Sequence, residues 1–93
     1  MRTYKPDGNQ GRIVQALRNA GASVFSLASM GSGCPDLLVG FAGRNILLEV
    51  KNPAGRGMRF TPAEREFMDT WRGRVHVVTN SVQALEVLDA IGE

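Results

Sequence analysis

Pro35-Asp36-Leu37-Leu38-Val39-Gly40-Phe41-Ala42-Gly43-Arg44-Asn45-Ile46-Leu47-Leu48-Glu49-Val50-Lys51 is the stretch on which the reading of this chain turns. Two apolar runs, 37–41 and 46–51, flank Ala42-Gly43-Arg44-Asn45, a turn-forming segment of the length hairpins prefer. Pairing about Gly43-Arg44 sets Ala42 against Asn45, Leu38 against Glu49 and Asp36 against Lys51. Side chains alternate along a strand, so Glu49 and Lys51 share one face while Ile46, Leu48 and Val50 take the other. Asp36 sits diagonal to Glu49, and two carboxylates and an amine converge at the open end of the hairpin. A slip of one residue would carry Ile46, Leu48 and Val50 to the charged face, an error that burial opposes.

The flanking sequence supplies the remaining elements. Ile13, Val14, Leu17 and Ala20 recur at helical spacing, so a first helix is expected over 10–20, with Asn9 as its N-cap and Gly21 as its stop. Residues 23–27 are rich in strand formers, and the small residues 29–33 behind them read as a loop. Asn52 to Arg59 combines a proline with two glycines and reads as a mobile basic loop. Thr61-Pro62-Ala63-Glu64 is a capping box with proline at the first helical position, opening a helix that runs to about residue 72, where Gly73 stops it. A strand over 74–79 follows. A last helix is capped by Asn80 or Ser81, with Val82, Leu85, Leu88 and Ile91 on one face. The expected fold is α/β, of order αβββαβ plus a C-terminal helix, with a central mixed sheet flanked by helices.

Ninety-three residues suit one core, so residues 1–93 are expected to form a single domain. No apolar run approaches the roughly 20 residues of a membrane helix, and Met1-Arg2-Thr3-Tyr4-Lys5-Pro6 leads into no apolar signal segment. A cytoplasmic protein with no membrane partner is the expectation. The single cysteine, Cys34, excludes an internal disulfide or a thiolate zinc cluster. Nine of the eleven cations are arginines, and all eleven lie in residues 1–76, whereas 77–93 hold only the acids Glu86, Asp89 and Glu93. A basic body of this kind suits a polyanion such as nucleic acid.

Two carboxylates beside a lysine suit a hard divalent cation, magnesium or manganese, which prefers carboxylate oxygens and is completed by water and substrate phosphate. Lys51 could orient a nucleophilic water, take part in its deprotonation or offset charge on phosphorus. The reaction class is phosphodiester hydrolysis. The plainer alternative is that Glu49-Val50-Lys51 forms a surface ion pair worth at most about 1 kcal/mol, and Pro35-Asp36 an ordinary turn.

Gly33-Cys34-Pro35-Asp36-Leu37 followed by Glu49-Val50-Lys51 resembles the Pro-Asp and Glu-x-Lys signature of the PD-(D/E)XK nuclease superfamily, and more narrowly its VRR-NUC group. The likeness runs from Gln10 through the Thr61-Glu64 helix to the last strand. It implies a restriction-endonuclease-like core and a homodimeric, structure-selective endonuclease acting on branched DNA such as Holliday junctions, in the cytoplasm of a bacterial or phage-infected cell. By the same resemblance Asp36 and Glu49 bind Mg²⁺ or Mn²⁺, the Val50 carbonyl adds a ligand, and Lys51 is the catalytic lysine. Many relatives carry a glutamate in the first helix, where this chain offers Gln10 and Arg12. Gln10 would support the site through water or phosphate, and Arg12 would add positive charge, which favours one metal over two. A flap or nicking nuclease without junction preference, and a non-catalytic DNA-binding module, are the alternatives.

Several other residues bear on the function. Ser32 and Gly33 would let a phosphate backbone approach, or else serve as a connector; Arg56 and Arg59 would grip DNA phosphates, or else remain solvated. His76 has no obvious partner and reads as a strand-face residue, Cys34 as structural, and Phe67 with Trp71 as a core or dimer contact.

Overall fold

In the computed structural model, which describes residues 8–55 and 57–93, one four-stranded sheet of order β1-β2-β3-β4 organises the chain. Its strands are β1 (Ser23–Ser26), β2 (Leu37–Phe41), β3 (Arg44–Val50) and β4 (Val75–Val78). The first three are antiparallel neighbours, and β4 joins β3 in parallel after the crossover through α2 (Pro62–Thr70). Two further helices, α1 (Gly8–Asn19) and α3 (Ser81–Ile91), complete an α/β fold with a mixed sheet. No helix among the described residues is long and apolar enough to cross a membrane.

The core lies on one face of the sheet. Leu37 and Val39 of β2, Ile46 and Leu48 of β3 and Val78 of β4 pack with Ile13 and Leu17 of α1 and with Ala84 and Leu88 of α3. Close packing of these branched chains is the main source of stability, at about 25 cal/mol for each Å² of apolar surface removed from water. The apolar face of α3 is built from Ala84, Val87, Leu88 and Ile91. Val82 and Leu85 stay exposed, contrary to the expected three-residue stripe, because a 3.6-residue turn carries that stripe off the contact line.

Both α1 and α2 depart from the sequence reading at an end. α1 begins at Gly8, so Asn9 lies within the helix rather than capping it; its Nδ2 donates to the Lys51 carbonyl at 3.0 Å. The helix closes as expected at Gly21 (φ +98°), where Gly21 N–H donates to Arg18 O and Ala22 N–H to Leu17 O. α2 ends at Thr70, two residues short, with Trp71 already extended. α2 buries no side chain, so Phe67 and Trp71, stacked at 5.0 Å, are not part of the core. His76 faces the core beside Leu48, its Nε2 buried without a hydrogen-bond partner among the described residues; burial first, then the charge of Arg74, holds its pKa below the ordinary value.

The hairpin register differs from expectation by two residues: Phe41 pairs with Arg44, Leu38 with Leu47 and Leu37 with Leu48. The turn closes on Ala42 and Gly43, both at positive φ (53° and 77°), a geometry that matches the twist of the two strands. A shift of two preserves the alternation, so the faces are those expected. Carried one step further, the register sets Asp36 level with Glu49 rather than Lys51.

Gly33 (φ +74°) fixes the loop before Asp36 against α2, because a Cβ there would run into the Ala63 carbonyl and lie 2.6 Å from Glu64 N. At Gly43, also at positive φ, nothing lies within 4 Å of a Cβ. Gly33→Ala is therefore expected to cost about 2–4 kcal/mol and Gly43→Ala about 1–2 kcal/mol. Urea midpoints of the two variants check this, and equal costs would show that the approach to α2 does not matter.

Candidate active site

Where the hairpin ends, the sheet leaves its second face open to a cleft of about 270 Å³ lined by Gln10, Asp36, Glu49, Val50, Lys51, Asn52, Gly57, Arg59, Thr61 and Glu64. Asp36 is fixed from both sides. Its backbone carbonyl accepts from Leu27 N–H at 2.8 Å, just beyond β1, and its Oδ2 accepts from Val50 N–H at 2.7 Å on β3. The buried Pro35 before it anchors the loop in the interior. The carboxylate is thereby tied to the strand that carries Glu49 and Lys51.

Glu49 and Lys51 are both buried, with 3% and 8% of their surface exposed, which is unusual for charged residues and requires partners. Lys51 Nζ lies 3.1 Å from Glu49 Oε2 and 3.0 Å from Glu64 Oε1. The same ammonium sits 4.4 Å from the centre of the Phe60 ring. Burial alone would lower the lysine's pKa, but the hydrogen bonds to Glu64 and Glu49 outweigh it and hold the value above the ordinary one. Lys51 is therefore an ammonium, a donor and a positive charge rather than a base.

The carboxylates show the opposite balance. Burial first, and the charge of Asp36 second, push Glu49 up to about 7, against which its contacts with Lys51 are insufficient. In Glu64, burial is outweighed by the Thr61 backbone N–H and by Lys51, and the pKa lies below the ordinary carboxylate value. Cys34 is pushed up by burial and then by Asp36 and Glu49, so it is no reactive thiolate.

Asp36 and Glu49 repel one another in a half-enclosed cleft, and a divalent cation between them would reverse that repulsion. Two carboxylates fit a hard cation that keeps several waters. Among the described residues there is no group of three or more His, Cys, Asp or Glu side chains placed to hold a metal, so protein side chains alone would not complete its shell.

Of the residues expected at the site, Asp36, Glu49, Val50, Lys51, Gln10 and Arg59 line the cleft together. Arg12 is exposed on α1 and is not among the lining residues. Ser32 (φ +59°) borders a separate hollow with Ala63, Glu66, Phe67 and Thr70, and Gly33 serves the packing against α2. Arg56 lies outside the described residues. In the sequence Glu64 reads only as a helix cap, and Phe60 has no assigned part. The available signal was the capping box itself, which fixes a carboxylate at the start of a helix soon after Lys51.

Comparison with known proteins finds no family model, no curated protein and no solved structure that matches this chain.

Because the proton binds Glu49 more tightly in the folded protein, with a pKa pushed up to about 7 from the ordinary 4.5, the buried charge disfavours folding above pH 7, and this penalty fades as pH falls toward 4.5. Glu49→Gln is expected to raise stability by on the order of 1–3 kcal/mol at pH 8 without divalent metal, and to lose that advantage below pH 4.5. Urea unfolding across this range measures it; an advantage independent of pH would contradict the assignment.

Proposed function

We propose that this protein is a metal-dependent endodeoxyribonuclease with a restriction-endonuclease-like core. The observation that carries the reading is the bond from Val50 N–H to Asp36 Oδ2, which ties the Pro-Asp loop to the Glu-x-Lys strand so that both carboxylates and the lysine share one cleft. The basic body of the chain and Arg59 at the cleft add the charge expected of a surface that meets phosphate.

Asp36 and Glu49, with the Val50 carbonyl, would hold Mg²⁺ or Mn²⁺. Such an ion, when bound, supplies Lewis-acid polarisation of the phosphoryl group and lowers the pKa of water. Lys51, kept protonated by Glu49 and Glu64, donates to the scissile phosphate and offsets the charge that gathers on it. Gln10 of α1, which also lines the cleft, would hydrogen-bond a water or a phosphate oxygen. Arg59 grips the neighbouring phosphate, and Arg12, Ser32 and Gly33 extend the contact to DNA further out, while Arg56, outside the described residues, is assigned to DNA from its charge and place in the sequence.

The proposed substrate is branched DNA such as a Holliday junction, cut by a homodimer whose two-fold symmetry presents a site to each of two equivalent strands. The chain would act in the cytoplasm of a bacterial or phage-infected cell.

The test is incubation of a labelled four-way junction, a flap and a linear duplex with the protein in Mg²⁺ or Mn²⁺, against EDTA and Asp36→Asn. Metal-dependent cleavage that falls by at least about 10²-fold in Asp36→Asn is expected, with paired symmetric nicks in the junction. Cleavage of flap or duplex without junction preference would move the substrate to the nicking alternative. DNA binding insensitive to EDTA, without cleavage in either metal, would replace the enzyme by a binding module.

A further inference from the structure

Lys51 carries its ammonium on a flexible stem, and a lysine of this kind is useful to a reaction only when something holds it still. Two carboxylates hold it, and they differ in kind. Glu49 lies two residues away on the same strand and, on the nuclease reading, is also needed by the cation. Glu64 comes from another element and has a separate anchor.

That anchor is the start of α2. Glu64 Oε1 accepts from Thr61 N–H at 2.9 Å and from Lys51 Nζ at 3.0 Å, while Glu64 N–H donates to Thr61 Oγ1 at 3.1 Å. One oxygen thus closes the helix cap and pairs the lysine. Phe60, the residue before the cap, places its ring 4.4 Å from Nζ, with the Arg65 guanidinium 5.1 Å from the same ring. α2 buries no side chain of its own, so this polar contact is disproportionately important for setting the helix against the sheet.

We propose that Glu64 is the positioning residue of Lys51: it keeps the ammonium in the cleft when Glu49 turns to a cation, so that the lysine meets the phosphate rather than swinging to solvent. The proposal rests on the nuclease reading for its catalytic consequence and on the Lys51–Glu64 geometry for its structural one. It assigns Glu64 a role beyond capping, and it makes the docking of α2 a condition for an ordered lysine.

The test compares Glu64→Ala, Glu64→Asp, Glu64→Gln and Thr61→Ala. Glu64→Gln preserves an acceptor for both the cap and the lysine, whereas Thr61→Ala weakens the cap and leaves the Glu64–Lys51 pair. Glu64→Asp keeps the charge at the helix N-terminus but withdraws the carboxylate by one methylene, so it is informative even if the alanine variant does not fold.

On junction DNA, Glu64→Ala and Glu64→Asp should lower kcat on the order of 10²-fold with KM little changed, and Glu64→Gln and Thr61→Ala should stay within about threefold of the parent. Calorimetric Mn²⁺ affinity should be nearly the same in all four. Lys5 is the only other lysine, so acetic anhydride labelling read by peptide mass gives a Lys51/Lys5 ratio without reference to cleavage. That ratio should rise about fivefold or more in Glu64→Ala and Glu64→Asp only, as a buried amine loses its partner.

Equal loss of activity in Glu64→Ala and Thr61→Ala, matching their loss of stability, with an unchanged labelling ratio, would overturn the proposal and leave Glu64 a cap. If the parent itself cuts no DNA, the nuclease reading fails, and the labelling ratio still decides whether Glu64 positions Lys51.

Discussion

The ammonium of Lys51 is buried at the end of a core strand, and a buried charge is tolerated only when paired. Much of the site follows from this constraint. The strand alternates so that Leu48 enters the core while Glu49 and Lys51 point to the second face; Glu49 supplies the near partner, and the start of α2 is brought across to supply Glu64. Removing the ammonium would leave the buried carboxylates without their cation in a medium that solvates them poorly, which ties the local stability of this end of the sheet to the pairing of Lys51.

A second constraint acts on Asp36. Its carbonyl completes the pairing beyond β1, and its carboxylate receives a backbone N–H of β3, so the loop that carries it has little freedom to withdraw from Glu49. The result is two carboxylates forced together, and the elevated pKa of Glu49, set by burial and then by Asp36, is the electrostatic record of that arrangement. A site that stores repulsion between acids is well disposed to a cation, since binding relieves the repulsion that folding imposes.

Much of this was legible in the residues. The apolar runs around Ala42-Gly43, the capping box at Thr61 and the N-cap at Asn80 announce their elements, and parity along 46–51 assigns the faces even though the turn closes one residue earlier than composition suggests, on an alanine with positive φ. What the sequence conceals is tertiary. Asn9 reads as a cap because its type favours that position, yet the helix starts sooner and Asn9 turns to the Lys51 carbonyl. Phe67 and Trp71 read as a core or dimer contact because they are large and helically spaced, yet no side chain of α2 is buried and the two rings stack on each other outside the core. Glu64 reads as a cap, and its second bond is visible only once the crossover has brought α2 over Lys51.

The central claim is that Asp36 and Glu49 together form a seat for a divalent cation. Calorimetric titration of Mn²⁺ into the intact protein and into Asp36→Asn and Glu49→Gln tests it most directly. Saturable binding near one ion per chain is expected, weakening at least about tenfold in each variant, each having lost one of two charged ligands. Binding that survives both substitutions unchanged, or no saturable binding to the parent protein, would contradict it.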